Sequence, residues 1–258
     1  MPLNTKYLKE WRKAGHEDRR GSQNVLPPAP AGFRRLYYLT SADHAVSNIV
    51  FSRIKVSRFS ELNDPFELLG SNFSDVEFRK VVRQNKLKFG ERNGLICFSE
   101  DWIDPVLWSH YANKHRGLAL GFDVSESIVQ QVTYSPSRLR YKPTGKVKSI
   151  TGELATQLIC TKFASWSYEK EWRALVELGR AEKEGSLYFL PFSDKLRLRE
   201  VILGSACDIN LKRFRKLINE AHEGVATFKA RLALQSFQII PMQSSVVGYR
   251  EPARSANG

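Results

Sequence analysis

The apolar residues of this chain come in short runs spaced at uneven intervals. Residues 36–40, 95–99, 118–122, 172–178, 187–191 and 200–203 each hold about as many residues as one strand needs, and most are rich in aromatic and β-branched side chains. Between them lie helical segments of unequal length. Ser41 caps a run with Ala45, Val46, Ile49 and Val50 on one side, and residues 76–88 repeat Phe78, Val81, Val82 and Leu87. Asp104-Pro105 supplies an N-cap and a first-turn proline to a helix lined by Leu107, Trp108, Tyr111 and Ala112, which Gly117 would end. Asp208 is read as the cap of a helix whose stripe is Leu211, Phe214, Leu217, Ile218 and Ala221, closed by Gly224. Residues 132–134 and 139–141 suggest a strand pair, and residues 154–163 fit either a helix or a buried strand. Regular βαβ units would need even spacing. The pattern therefore predicts α+β: one domain with a twisted mixed β core and flanking helices.

That domain is expected over residues 33–242, followed by a tail at 243–258. Residues 1–32 read as an appendage with a short helix at 6–13 (Tyr7, Leu8, Trp11) and a linker, Pro27-Pro28-Ala29-Pro30, which no helix continues through. No apolar run approaches the ~18 residues of a membrane span, and the first twenty residues lack the apolar stretch of a signal peptide. Cys97, Cys160 and Cys207 are scattered and few, which suits reduced core thiols. A cytoplasmic protein without a membrane partner is expected. Charge is the outlier: 40 Lys and Arg against 27 Asp and Glu give +13. Such a surplus attracts polyanions, whether nucleic acid or a phosphate-bearing ligand such as a dinucleotide, and it also serves plain solubility. Its densest stretch is Lys212, Arg213, Arg215 and Lys216.

The segment Trp166-Ser167-Tyr168-Glu169-Lys170-Glu171-Trp172-Arg173 carries the sharpest chemistry. In a strand, Glu169, Glu171 and Arg173 would share one face, and Tyr168 and Trp172 the other. Two close carboxylates shift each other's protonation, and an arginine holds one ionised. One carboxylate can then stabilise a cation while the other moves a proton. The plain alternative is a solvated Glu–Arg pair. Asn63-Asp64-Pro65-Phe66-Glu67 reads first as a turn with a cap. In Trp108-Ser109-His110-Tyr111, packing explains Trp108 and Tyr111, whereas His110 falls on another side, exposed or facing a cleft. His110 and His115 are five apart, an awkward spacing for a shared metal, and no metal is expected. Phe98-Ser99 places a hydroxyl at a strand end. There is no G-x-G-x-x-G, Walker loop, H-E-x-x-H, C-x-x-C or G-x-S-x-G, so the chemistries those motifs serve have no support.

Taken in order, Leu36-Tyr37-Tyr38, Asn63 to Glu67, Cys97-Phe98-Ser99, Trp108 to Ala112, Gly117, Tyr168 to Arg173 and Val201-Ile202-Leu203-Gly204 resemble the bacterial domain-of-unknown-function family 2971 over roughly residues 35–240. That family name carries no activity. A looser resemblance is to ADP-ribosyltransferases that modify nucleic acid. Leu36 to Thr40 is similar to their first strand, Phe98-Ser99 to a second strand ending in a polar residue, and Glu169-Lys170-Glu171 to their E-x-E element. Tyr38 stands where those proteins have His or Arg. The resemblance implies an ADP-ribosyltransferase-like fold that uses NAD as a substrate. Glu171 would stabilise the ribosyl cation and Glu169 activate the acceptor. It also implies NAD contacts from Tyr38, Thr40, Ser99, Trp108, His110, Tyr111 and Arg173. Asn63, Asp64, Glu67, Lys212 and Arg213 would lie on the side of a macromolecular target. The alternative from another class is a non-catalytic nucleic-acid-binding protein of a phage-defence or toxin system.

Overall fold

One strand feeds two separate cores. In β1 (Phe33–Thr40), Leu36 joins an apolar cluster with Phe98, Leu120 and Phe122, while its neighbour Tyr37 joins another with Trp102, Trp108 and Ile202. The computed structural model describes residues 26–64, 66, 76–138 and 152–246. The expected helix at 6–13, the strand at 139–141, and Pro65 and Glu67 lie outside the described residues, as do the side chains of Phe78, Val81 and Val82.

After β1 come α1 (Ala42–Val50), β2 (Arg53–Arg58), α2 (Val76–Arg92), β3 (Asn93–Ser99), α3 (Pro105–Tyr111) and β4 (Leu118–Ser125). Then follow β5 (Gln130–Gln131), β6 (Thr133–Ser135), α4 (Gly152–Ile159), β7 (Thr161–Phe163) and β8 (Glu171–Glu177). The remaining elements are β9 (Glu182–Glu184), β10 (Leu187–Pro191), β11 (Leu196–Leu203), α5 (Leu211–Ala221), β12 (Ala226–Leu232) and β13 (Ile239–Pro241). This is the α+β class: a sheet-rich body with few helices. Its 11-stranded sheet runs β13-β12-β11-β4-β1-β3-β2-β10-β9 and stays open among the described residues. Pairing is mixed, with β11 and β12 parallel and β1 and β4 antiparallel. No described helix is long and apolar enough to cross a membrane.

The sheet branches at β3. One edge of β3 pairs with β8 along its whole length, from Asn93↔Glu177 to Ser99↔Glu171. The other edge is shared: β2 meets it at Gly94 and Leu95, and β1 only at Tyr37↔Ser99. Between those junctions β1 and β2 separate, and a cleft opens where they part.

Several local expectations are corrected. The cap of α5 is Asn210, whose side chain accepts from the Arg213 amide, not Asp208. The apolar stripe of α5 narrows to Phe214 and Ile218, with Leu217 43% exposed. Val50 and Leu87 also face solvent. Residues 154–163 are both proposals in turn, the end of a helix and then β7, and β7 pairs in parallel with β6. Helix α3 ends not at a glycine but in three successive left-handed residues, Asn113, Lys114 and His115. Such residues are individually unfavourable, and hydrogen bonds from the His115 and Arg116 amides to the Trp108 and Asn113 carbonyls hold them.

Gly117 serves instead as a crossing point. Its carbonyl accepts from the Gly204 amide at 2.9 Å. A Cβ on Gly117 would stand 2.1 Å from the Thr40 carbonyl oxygen, and one on Gly204 equally close to that of His115. Backbone cannot retreat as a flexible side chain can. Gly117→Ala and Gly204→Ala are each expected to cost at least ~1–3 kcal/mol, several degrees of melting temperature. Gly179→Ala, with nothing within 4 Å of the added carbon, should leave the melting curve unmoved.

Candidate functional site

Three segments far apart in sequence wall the cleft, a cavity of about 240 Å³. Strand β1 brings Tyr37 and Tyr38, β3 brings Cys97, Phe98 and Ser99, and the approach to β8 brings Glu169 and Glu171. Ser57, Glu61, Asn63, Tyr111 and Lys162 complete the polar lining.

Glu169 does not lie on the strand. A 3₁₀ turn, Ala164–Glu169, ends at Lys170 in left-handed backbone (φ 44, ψ 50), and β8 starts only at Glu171. The shared strand face expected for Glu169, Glu171 and Arg173 is thereby corrected, since the turn rather than the pleat sets the two carboxylates together. The turn is pinned to the end of β3. Ser99 Oγ donates to the Glu169 carbonyl at 2.7 Å, the Glu100 amide to the Lys170 carbonyl at 3.0 Å, and Lys170 Nζ pairs with Asp101 at 2.6 Å.

At the centre, Lys162 Nζ lies 2.6 Å from Glu169 Oε2 and 3.1 Å from Glu171 Oε2. Arg173 grips Glu171 with two donors, Nε at 2.8 Å and Nη2 at 3.0 Å, and gives Nη1 to the Ile159 carbonyl. Tyr111 donates its hydroxyl proton to Glu169 and accepts from Asn63 Nδ2 at 2.7 Å. The Glu171 amide donates to the Tyr134 hydroxyl at 2.8 Å, and the Cys97 thiol hydrogen-bonds the Glu171 carboxylate. Lys162, Glu169, Glu171 and Arg173 are each at most 5% exposed, which rules out a solvated surface pair.

The two carboxylates hold protons very differently. Burial alone would push Glu171 up, but the charge and hydrogen bonds of Arg173, joined by Lys162, bring it down to about 2. Burial also pushes Glu169 up. Lys162 opposes this, the Glu171 charge adds to it, and the result stays above the ordinary carboxylate value. Glu171 is therefore a standing anion, and Glu169 is the first of the two to take a proton. Burial likewise raises the Tyr38 phenol to about 12, so it stays a neutral hydroxyl, hydrogen-bonded to Thr40.

Of the residues expected to contact NAD, Tyr38, Ser99 and Tyr111 line the cleft, as does Asn63 from the target side. Thr40 is buried, hydrogen-bonded to Tyr38, and is not among the residues that line the cleft. Trp108 does not face the cleft: it is wholly buried, its Nε1 bonded to the Trp102 carbonyl at 2.6 Å, so its expected ligand contact is corrected to a packing role. Arg173 is likewise a buried partner of Glu171 rather than a ligand contact. His110 is exposed on α3, its Nδ1 2.9 Å from the Tyr168 hydroxyl. Asp64 is buried and accepts from the Phe66 amide at 2.9 Å, as a turn requires. Lys212 and Arg213 are exposed on α5 and are not among the residues that line the cleft. Arg215 turns inward instead, donating to the Thr227 and Ser245 carbonyls, so the basic stretch is not one face. Sequence reasoning missed Lys162, Tyr134 and Cys97. Lys162 had a signal, as a lone cation in the apolar run Leu158-Ile159-Cys160-Thr161-Lys162-Phe163.

The family model described as a protein of unknown function (DUF2971) matches residues 107–174, which include Tyr111, Lys162, Glu169, Glu171 and Arg173. The match supports similarity to that family across this part of the cleft. No curated protein and no solved structure matches the chain.

Removing one member of a buried ion pair strands the other. Arg173→Met is expected to cost about 3–5 kcal/mol, whereas Arg180→Ala, which breaks a solvent-exposed pair with Glu177, should cost under about 1 kcal/mol. Thermal melts of the two variants check this. Because the Glu171 carboxyl is depressed in the folded state, its stabilisation is complete above the unfolded value near 4.5 and is lost as pH falls towards about 2. The wild type should lose stability over that window, and Glu171→Gln, already weaker at pH 7, should lose less.

Proposed function

We propose that the cleft transfers the ADP-ribosyl group of NAD to a macromolecular acceptor. The observation that carries this reading is the division between the carboxylates: Glu171 locked as an anion, and its neighbour Glu169 able to exchange a proton. Environments that push two acids apart are a mark of acid–base assignment. Ribosyl transfer asks for that division. As the bond from the ribose carbon to nicotinamide breaks, nicotinamide leaves with the electron pair and positive charge grows on the ribose. Glu171, ionised before substrate arrives, stabilises that charge without reorganising. An acceptor heteroatom then bonds the ribose carbon and gives its proton to Glu169, which Tyr111 orients.

The Tyr38 hydroxyl on β1 takes the part of a ribose contact, held by Thr40. Clefts for drug-sized ligands run to about 300–1,000 Å³, so this one suits the ribosyl end of the dinucleotide rather than the whole. The rival reading, a non-catalytic nucleic-acid-binding module, draws on the +13 charge but gives the buried carboxylates no task.

Mass-spectrometric detection of nicotinamide release, with a cell extract as the source of acceptor, tests the proposal. Glu171→Gln is expected to lower kcat by about 10²–10³ while changing NAD affinity little. Glu169→Gln should depress transfer more than hydrolysis to water. Tyr38→Phe should weaken NAD binding by about 2–10-fold, the worth of one hydrogen bond of roughly 0.5–1.5 kcal/mol. Each variant is assayed well below its own melting temperature. Wild-type turnover from Glu171→Gln, or a wild-type protein that never consumes NAD, would end this reading.

A further inference from the structure

Lys162 has no part in the chemistry above, yet it touches both carboxylates. We propose that Lys162 is a positioning residue that bridges Glu169 and Glu171 and governs the protonation of Glu169. Its catalytic consequence rests on the reading just given, but its effect on Glu169 does not.

The geometry is asymmetric. Glu171 receives two donors from Arg173, the Cys97 thiol and Lys162. Glu169 receives Lys162 and the neutral Tyr111 hydroxyl. Deleting the ammonium therefore leaves Glu171 with a charged partner and takes from Glu169 the only cation that bonds it among the described residues. Around Glu169 stand Tyr111 from α3, Tyr168 from its own turn, Tyr134 from β6, Lys162 from β7, and Glu171 and Arg173 from β8. Of these only Glu171 carries negative charge, and it opposes ionisation of Glu169.

The placement of Lys162 is built in. It is the central residue of β7, buried, while Phe163 beside it is 50% exposed. The parallel register pairs Lys162 with Tyr134, and the Tyr134 hydroxyl accepts from the Glu171 amide. One strand pair thus holds both the backbone and the side chain of Glu171. The ammonium also lies 4.8 Å from the centre of the Trp166 ring, a cation–π contact with the turn that carries Glu169.

Chemical denaturation from pH 5 to 8 of the wild type, Lys162→Met, Lys162→Arg and the double variant Lys162→Met/Glu169→Gln tests the proposal. Without Lys162, the folded state holds the Glu169 proton more tightly still. A raised folded value stabilises below the unfolded value near 4.5, and that stabilisation is lost as pH rises through the folded value. Relative to wild type, the folded-to-unfolded ratio of Lys162→Met should therefore fall by up to about tenfold per pH unit above about pH 5. Lys162→Arg should largely abolish that slope, and the double variant should remove it. A loss equal at every pH would show that Lys162 merely fills space and would overturn the proposal. If Lys162→Met folds at no pH, the double variant decides, since rescue by Glu169→Gln supports the role and failure to rescue overturns it. In a second arm, the acidic limb of the NAD-transfer profile should move to higher pH in Lys162→Met, with kcat affected and KM little changed. A wild type inert towards NAD would remove the transferase reading and leave the denaturation result standing.

Discussion

Two carboxylates, an ammonium and a guanidinium form one buried cluster at the cleft wall, and much of the surrounding structure keeps them paired. An isolated buried charge is so costly that it would sooner change its protonation than stay. Here Arg173 and Lys162 make ionisation of Glu171 tolerable, and the same two cations restrict where every neighbouring element can sit. Strand β7 must present Lys162, β8 must present Glu171 and Arg173, and the turn before β8 must return Glu169 to within 2.6 Å of the ammonium. A buried ion cluster of this sort adds little net stability over an apolar one of equal volume.

A second cluster sits on the same face of the sheet as Glu171, since Tyr37 registers with Ser99 and Ser99 with Glu171. Arg35 on β1 pairs with Asp123 on β4 at 2.7 Å and with Glu200 on β11 at 3.3 Å, and the Tyr37 hydroxyl donates to Glu200 at 3.0 Å. Tyr37 also lines the cleft. One side chain thus sits at both the cleft wall and the cluster that ties three strands together.

The sequence made the elements legible wherever local chemistry decides them. The strand of apolar and aromatic residues at 36–40, the Ser41 cap and the Asp104-Pro105 helix start are all local signals, and each stands in the structure. The pairing of Glu169 with Glu171 was legible too, but for the wrong reason. Period-two alternation placed them on one face, whereas the left-handed Lys170 interrupts the strand and a turn does the work. What was illegible depends on contacts that form only once the chain has folded, near or far in sequence. Nothing near Trp108 in sequence tells that its indole is spent on the Trp102 carbonyl, or that Lys162 would meet residues seven and nine positions later inside the protein. Arg215 read as part of a basic surface because its distant partner, the Ser245 carbonyl, lies thirty residues away.

The turn that carries Glu169 is tied down at Trp166, at Tyr168, by the Glu169 side chain and carbonyl, and at Lys170, while Ser165 and Ser167 are exposed. The β3–β8 ladder fixes sheet register without reference to this turn. Substitutions at the two serines should therefore leave the four buried charges in place.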